Sequence, residues 1–404
     1  MKQKKLTLKM PKGYSKSIHA SVLLLTIFGL AMIISAKSNI HSLEAIGIIK
    51  VIIKEVGFIV ASYLLMLFVA RNFSWEKFRK LYVPIVYGTI GLLFLTMIFP
   101  AIGGARAWIR TPIGTIQPSE FVKVISILIL AQSLGDRGNE RTDLISLIKH
   151  PVLLVSFMGM FVLLAQSDLG SAVIIFVISL ITVLSFSNPQ LRKIQKWFLI
   201  LFASGILLLF FVNSGPFINF LNSVDWPDSM KYMINRFTVS ANPFLDRHDS
   251  GAQIFNGLAA FVSGGLTGVG YGKGFLKFSF IFAAESDSIL AIIVEELGVI
   301  FGFLPIVLLY GVIIYQLMKY TFKVKLDKDK AVLVGTIAYF FIHFLLNVGG
   351  VTALIPLTGI PLLFISAGGS SRLAVMVAIG LCQNVIARYN TPTRNQKQNS
   401  GDMT

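Results

Sequence analysis

The sequence predicts an all-α integral membrane protein with about ten transmembrane helices, and two observations lead to this fold class. Hydrophobic residues make up 55% of the 404 positions and charged residues only 14%, which leaves too little polar surface to cover a soluble globule of this size. The apolar residues also gather into stretches of about 17 to 25 residues, the length that a helix needs to cross a bilayer.

Polar connections divide these stretches into ten predicted spans. The fourth and fifth are short, and the eighth is long enough to begin above the membrane or to be broken. The first exceeds the core of about 7 to 15 residues typical of a cleavable signal peptide, so we expect it to be retained. The spans cover residues 18–36, 51–70, 82–102, 119–135, 150–166, 169–187, 196–214, 287–318, 331–352 and 365–387.

Basic residues predict the orientation, because Lys and Arg remain on the cytoplasmic side of membrane proteins. With both termini inside, each inner connection carries several Lys or Arg residues. We therefore expect a basic cytoplasmic segment at 1–17, a single membrane domain at 18–387 and a cytoplasmic tail at 388–404. The connection at about 214–286, between the seventh and eighth spans, is an outer loop far longer than an ordinary connection.

Composition disfavours two classes of function. The net charge of +17 follows from this topology and from contact with anionic lipid headgroups, so it is weak evidence for nucleic-acid binding. One Cys and five scattered His provide none of the ligand spacings of zinc or iron–sulfur sites.

Asp287 is the first candidate for chemistry. It begins the eighth span directly after the long outer loop, and a partly desolvated carboxylate there could serve as a general base. The alternative is an N-cap or first-turn acid at the positive end of the helix dipole. Position alone leaves the two interpretations open.

Further charged residues lie within the predicted spans. Glu295 and Glu296 lie two turns below Asp287, and we expect one of them to pair with a cation or an amide from a neighbouring helix. Glu120 and Lys123 are three residues apart and therefore share one face of the fourth span. They neutralise each other, which we favour because charges within membranes pair, or they support an outer cavity in which Lys123 contacts a phosphate.

Several outer cations break the charge rule. Arg106 and Arg110 lie on the outer side, where a pyrophosphate would explain them. The segment 264–274, GGLTGVGYGKG, has a backbone free to approach an anion, with Lys273 and Lys277 beside it. It is not a Walker loop, because the GK pair is followed by Gly and no strand precedes it.

Other polar residues have simpler explanations. Asp168 lies in a tight outer turn and is expected to form an Asx turn, while His343 and Asn347 share one face of the ninth span and are explained by interhelical hydrogen bonds. The segment 347–371 is rich in Gly, Pro and small residues. Irregular backbone at membrane depth is tolerated where it lines a cavity, so we place this segment on a cavity wall.

Four sequence blocks carry a resemblance. They read WIRTPIGTIQPSEFVK at 108–123, QSDLGSA at 166–172, SGGLTGVGYGKG through SDSILAIIVEELG at 263–298, and NVGGVTALIPLTGIPLLFISAGGSS at 347–371. Together with ten spans and a long loop after the seventh, they resemble the SEDS family of shape, elongation, division and sporulation proteins, which includes FtsW, RodA and SpoVE. NPFLDRHDSGAQ at 242–253 is more similar to the FtsW branch than to the RodA branch.

The resemblance implies a peptidoglycan glycosyltransferase that polymerises lipid II into glycan strands on the outer face of the bacterial cytoplasmic membrane, during division or elongation. The implied partners are lipid II, the nascent glycan, a class B penicillin-binding protein and other divisome or elongasome membrane proteins. The family's loop aspartate falls on Asp287, in SDSIL where TDFIF is usual, and its PSE-xx-K pair falls on Glu120 and Lys123. Ala367 replaces the Tyr of the usual YGGSS.

In the implied mechanism Asp287 takes a proton from the sugar 4-hydroxyl of the incoming lipid II while the pyrophosphate of the growing chain leaves, with inversion at the anomeric carbon. A divalent ion such as Mg²⁺ or Mn²⁺ is left open, with no ligand assigned. The expected substrate-binding residues, whose cations would neutralise the leaving group, are Arg106, Glu120, Lys123, Lys273 and Lys277.

Two other functions fit the same cavity. A lipid II flippase or transporter would distribute charges through the membrane depth, whereas this sequence concentrates them at the outer end. A scaffold for division proteins without catalysis would tolerate a neutral isostere at Asp287. The enzyme is the favoured interpretation.

Overall fold

The computed structural model describes residues 9–37, 45–112, 114–135, 144–186, 191–192, 195–200, 203–204, 214–226, 234, 237–242, 251–278 and 284–391. These residues are largely helical. The α-helices are α1 Lys16–Lys37, α2 Ala45–Asn72, α3 Trp75–Leu95, α4 Pro118–Gly135, α5 Leu144–Leu164, α6 Leu169–Leu184, α7 Gly215–Ser223, α8 Ala252–Gly264, α9 Ile289–Gly298, α10 Leu304–Thr321, α11 Asp327–Val351 and α12 Gly369–Asn390. Short 3₁₀ and π segments cover Thr96–Ile98 and Val299–Phe303.

Within the described ranges, the strand content is one antiparallel hairpin between α3 and α4. Strand β1 is Ile109–Thr111 and strand β2 is Gly114–Ile116, with Arg110 opposite Thr115. The hairpin lies directly before α4, so it fixes where the chain enters that helix.

Seven helical segments among the described residues are long and apolar enough to cross a membrane, which confirms the all-α fold class. They are Lys16–Lys37, Ile49–Asn72, Trp75–Ile98, Pro118–Gly135, Ile289–Thr321, Asp327–Val351 and Gly369–Asn390. The predicted fifth and sixth spans are the shorter apolar helices His150–Leu164 and Leu169–Leu184. Much of the predicted seventh span and parts of the loop at 214–286 lie outside the described residues, as do residues 1–8 and 392–404 of the two predicted terminal segments. A total of ten spans therefore stays a prediction.

Three helices, α4, α11 and α12, form the interior of the bundle, while α2 and α3 present many apolar side chains outward. Ile53 on α2 is 66% exposed, as expected of a side chain that faces lipid. α2 packs closely along α12 because Gly380 has no side chain there. A Cβ at Gly380 would come within 2.8 Å of the Met66 carbonyl oxygen.

The predicted eighth span is broken, which is one of the two forms the sequence allowed. Its first part, α9, ends at Gly298, where φ is 72°, and the helix resumes through the π segment into α10. Beyond the break, the amides of Val299 and Ile300 donate to the carbonyls of Gly265 and Leu266 at 3.1 and 2.9 Å. The glycine-rich segment after α8 therefore supplies the backbone partners that the break removes.

Candidate functional site

A cavity of about 500 Å³ lies where several connections of the bundle meet at the N-terminal ends of α4, α6, α9 and α12. The predicted placement of the segment 347–371 on a cavity wall is confirmed, because its residues 356–361 and 367–371 line this space. The other walls come from Ile102, Gly103, Ala105, Trp108, Thr115, Gln117, Glu120, Phe237, Gln253 and residues 167–169 and 286–287.

Asp287 lies on the wall of this cavity, in the turn that precedes α9. The N-cap position of α9 is Ser288, so Asp287 lies one residue before the cap. The Asp287 carbonyl accepts a hydrogen bond from the Asn347 side-chain amide at 2.8 Å, and that amide also donates to the Ile360 carbonyl at 2.8 Å. Asn347 was expected to form an interhelical hydrogen bond, but its two acceptors lie in the turn before α9 and in the connection between α11 and α12.

The chain on the N-terminal side of Asp287 is held by the turn between residues 362 and 367. The Ser366 hydroxyl donates to the Ser286 carbonyl at 2.6 Å, and the Ala367 amide donates to the Glu285 carbonyl at 2.8 Å. The half-buried Asp287 carboxylate accepts from the Ser286 hydroxyl at 3.0 Å. Asp287 therefore reaches the cavity from a backbone that is anchored on both sides.

Glu120 and Lys123 form the predicted pair, with the Lys123 Nζ 2.7 Å from the Glu120 Oε1 and both side chains at most 1% exposed. Glu120 lines the cavity and Lys123 lies behind it. The Lys123 Nζ is also 3.2 Å from the His343 Nε2, and the Tyr339 hydroxyl lies 3.5 Å from the Glu120 Oε2. An ammonium only donates, so His343 accepts through Nε2, which confirms its expected interhelical hydrogen bond.

Asp168 contributes a third carboxylate to the cavity wall. Its Oδ1 accepts from the Ser171 amide at 3.0 Å as the N-cap of α6, and its Oδ2 accepts from the Gln117 side chain at 2.8 Å. The residue was expected in an Asx turn. Its second hydrogen bond, to Gln117, ties the start of α6 to the start of α4.

The cavity wall is acidic. Glu120, Asp168 and Asp287 line it, and the lining residues in the described ranges include no Lys or Arg. Arg106 and Arg110 are exposed on the adjacent connection. Arg106 directly follows the cavity residue Ala105, and Arg110 lies two positions after the cavity residue Trp108. Lys123 is thus behind the cavity and Arg106 beside it.

Lys273 and Lys277 lie in a second cluster, at the break of the eighth span. Lys273 is exposed, whereas the Lys277 Nζ lies 2.5 Å from the Glu296 Oε1, with both side chains buried. Glu296 also accepts from the Ser35 hydroxyl of α1 at 2.7 Å. One of the two span glutamates was expected to pair with a cation or an amide from a neighbouring helix; Glu296 does pair with a cation, but Lys277 lies in a turn and not on a helix.

The glycine-rich segment approaches an anion, as predicted, but the anion belongs to the same chain. The Gly272 amide donates to the Glu296 Oε2 at 3.0 Å, and the amides of residues 275–276 donate to the Glu295 Oε1 at 2.7 and 3.0 Å. The Tyr271 hydroxyl donates to the Ala31 carbonyl at 2.8 Å. Burial, and then the charge of Glu296, raises the pKa of Tyr271, which keeps this donor protonated.

No cluster of three or more His, Cys, Asp or Glu side chains in the described part of the chain is arranged to hold a metal ion. The three cavity carboxylates face the same space without forming such a cluster. The divalent ion considered from the sequence therefore has no set of ligands among the residues that the structure describes.

Sequence comparisons place the chain among bacterial cell cycle proteins. The family model for FtsW, RodA and SpoVE, described as "Cell cycle protein", matches residues 15–391. FtsW of Trichlorobacter lovleyi, named a probable peptidoglycan glycosyltransferase, is 31% identical over 379 residues, which are 91% of each chain. Stage V sporulation protein E of Bacillus subtilis is 32% identical over 321 residues, covering 78% of this chain and 81% of its own.

Solved structures share the fold. A chain from a peptidoglycan synthase complex that coordinates polymerization and crosslinking superposes with a TM-score of 0.70 at 22% identity, covering 93% of this chain and 98% of that one. The rod shape determining protein RodA of Thermus thermophilus superposes with a TM-score of 0.60 at 20% identity, covering 94% and 98%. The four motif blocks thus predicted the family correctly, and the chain belongs to the FtsW/RodA/SpoVE family of cell cycle proteins.

Proposed function

We propose that this protein is a peptidoglycan glycosyltransferase that polymerises lipid II on the outer face of the cytoplasmic membrane, with Asp287 as its general base. One observation carries the proposal: a half-buried carboxylate on an anchored backbone faces a cavity of about 500 Å³, within the size range of small-molecule sites. The names of its FtsW relatives support the same reaction.

In the proposed reaction the Asp287 carboxylate takes the proton of the acceptor sugar's 4-hydroxyl. The hydroxyl oxygen then bonds to the anomeric carbon of the growing chain, and the bond from that carbon to the pyrophosphate oxygen breaks. Attack from the opposite face inverts the anomeric carbon, and the lipid pyrophosphate leaves with its electron pair. The polyprenyl tails lie in lipid, which is why the polymerase is a membrane protein.

The acidic cavity wall supports separate binding sites for the acceptor sugar and for the pyrophosphate. Carboxylates, amides and hydroxyls such as Glu120, Gln117 and Ser370 suit the hydroxyl groups of a sugar, whereas a diphosphate requires cations or strong donors. We therefore assign the cavity to the acceptor sugar and the pyrophosphate to the neighbourhood of the exposed Arg106 and Arg110.

The remaining predicted binding residues have different proposed roles. Lys123 acts through Glu120, which it holds in place at 2.7 Å. Lys277 is engaged by Glu296, so it holds the glycine-rich segment. Lys273 is exposed and keeps its predicted role as a substrate contact.

The proposed topology has ten spans, both termini in the cytoplasm and the loop at about 214–286 outside, which places the cavity on the outer side. The proposed partner is a crosslinking transpeptidase, a class B penicillin-binding protein. The fold shared with a chain of a complex that coordinates polymerization and crosslinking supports this partner. Other divisome or elongasome membrane proteins are further expected partners.

The test is glycan polymerisation from purified lipid II by the detergent-solubilised protein, alone and with its candidate transpeptidase. Wild type is compared with Asp287→Asn and with Asp225→Asn, which changes an exposed acid in the same long connection. We expect polymer from wild type and Asp225→Asn but none from Asp287→Asn. Equal polymer from all three would remove Asp287 from the mechanism.

Absence of polymer from wild type with its partner would instead contradict the enzyme. In that case lipid II translocation into vesicles would separate the flippase from the scaffold.

A further inference from the structure

A buried ion pair outside the cavity joins α2 to the start of α12. The Arg372 Nη1 lies 2.9 Å from the Glu55 Oε2, and the two side chains are 2% and 7% exposed. Neither residue lines the cavity. A charged pair in this apolar interior calls for a function, because intramembrane ionisable groups are energetically unfavourable.

The pair is connected to the proposed base through two residues, Ser366 and Ser286. The Arg372 Nη2 donates to the Ser366 carbonyl at 3.2 Å. Ser366 in turn donates through its hydroxyl to the Ser286 carbonyl at 2.6 Å, and Ser286 is the residue before Asp287. The guanidinium therefore fixes the turn that fixes the backbone of the proposed base.

Stability alone does not account for the pair. Buried ion pairs are weak evidence for stability, since apolar residues of similar volume often replace them without loss. The Arg372 Nε–H is buried and has no hydrogen-bond partner within the described part of the molecule, so the arrangement is not optimised for hydrogen bonding either. The planar guanidinium donates hydrogen bonds in two fixed directions, one to the Glu55 carboxylate and one to the Ser366 carbonyl.

We propose that Arg372, oriented by Glu55, is a positioning residue for Asp287. The inference rests on the proposed function and deepens it: the pair sets the direction from which the carboxylate meets the acceptor hydroxyl. Removing it relaxes the turn at Ser366 and leaves the cavity residues that contact the sugar in place. The loss then falls on kcat, because small misplacements of a reacting group slow the chemical step while binding persists.

The experiment replaces both charges, so that no lone charge remains buried, in the variant Glu55→Met/Arg372→Met. Its control, Asp329→Asn/Arg388→Gln, removes an ion pair of 2.8 Å elsewhere in the bundle, in which the Arg388 side chain is 40% exposed. Full-length proteins with the candidate transpeptidase are compared in lipid II polymerisation. Amide hydrogen exchange of residues 284–291 and 362–367 is measured on the same samples.

We expect the Met/Met variant to lower kcat about tenfold, with KM for lipid II within twofold of wild type and faster exchange in both segments. The control should keep kcat, KM and exchange in these segments. A kcat within twofold of wild type would overturn the proposal, and so would a lower kcat with unchanged exchange. If wild type makes no polymer, the proposed enzyme fails, while the exchange result alone still decides whether the pair holds the segment.

Discussion

The two ends of the short helix α9 place carboxylates in contrasting surroundings. At its start, Asp287 is half-buried on a cavity wall, and its neighbours hold its backbone. At its end, Glu295 and Glu296 are buried against an ammonium and three backbone amides. The difference teaches that contacts to the main chain can hold a carboxylate at a cavity wall, whereas an ion pair and several amide donors bury a carboxylate within the structure.

The largest expected effect tests the first end. Asp287→Asn should reduce polymerisation about 10³-fold, within the range for loss of a general base. Its melting temperature should stay within a few degrees of wild type, because the contacts that anchor this turn use the backbone. A thermal unfolding scan beside the polymerisation assay checks both parts. A large fall in melting temperature would mean that Asp287 is structural after all.

At the other end of α9, replacing Glu296 should reduce stability and not the activity of the folded protein. Glu296→Gln leaves the Lys277 ammonium buried without its counter-charge, which costs about 3–5 kcal/mol. We expect a clear fall in the melting temperature, and activity lost only in proportion to folded protein. Replacing both partners, in Lys277→Met/Glu296→Met, should recover much of the stability. Normal stability in the single variant would contradict the structural role.

The break between the two parts of the eighth span gives a smaller effect. Gly298→Ala should destabilise the fold by about 1–3 kcal/mol, because φ is 72° and a Cβ would press on the Leu266 carbonyl and the Gly268 amide nitrogen. Gly57→Ala on α2 is the control, since a Cβ there meets no atom within 4 Å. Chemical denaturation of the two variants in parallel measures the difference, and equal stabilities would contradict the strained break.

The smallest expected effect concerns an exposed cation beside the cavity, Arg106. Arg106 is exposed beside the cavity, in contrast to the engaged Lys277. Arg106→Gln should raise the KM for lipid II about tenfold, the value of one hydrogen bond to a charged group, with kcat retained. Arg79→Gln, an exposed cation on α3, should change neither. An unchanged KM for Arg106→Gln would move the pyrophosphate site elsewhere.

Local sequence patterns were sufficient to predict the helices and some of the site. Hydrophobic stretches predicted the long spans, and a spacing of three residues predicted the Glu120–Lys123 pair. Position after the long loop made Asp287 a candidate, and the residue lies on the cavity wall. These features depend on residues close together in the chain.

Contacts between distant residues were not predictable. Ser366 and Ser286 are 80 residues apart, and Arg372 and Glu55 are 317 apart. Arg372, six residues after Ser366 in a span dominated by apolar and small residues, was the available signal for the second contact, because a charge there needs a partner. The pattern of the glycine-rich segment predicts that its amides bind an anion. It does not distinguish a ligand from the carboxylates of Glu295 and Glu296, which are the acceptors in the structure.

The break at Gly298 has a consequence for how the chain enters the membrane. The amides of Val299 and Ile300 bond to the glycine-rich segment, and such groups left unpaired in lipid would cost several kcal/mol each. Hydrophobicity alone therefore does not complete this span. We therefore expect the eighth span to be completed only when the glycine-rich segment, which precedes it in the chain, has folded against it.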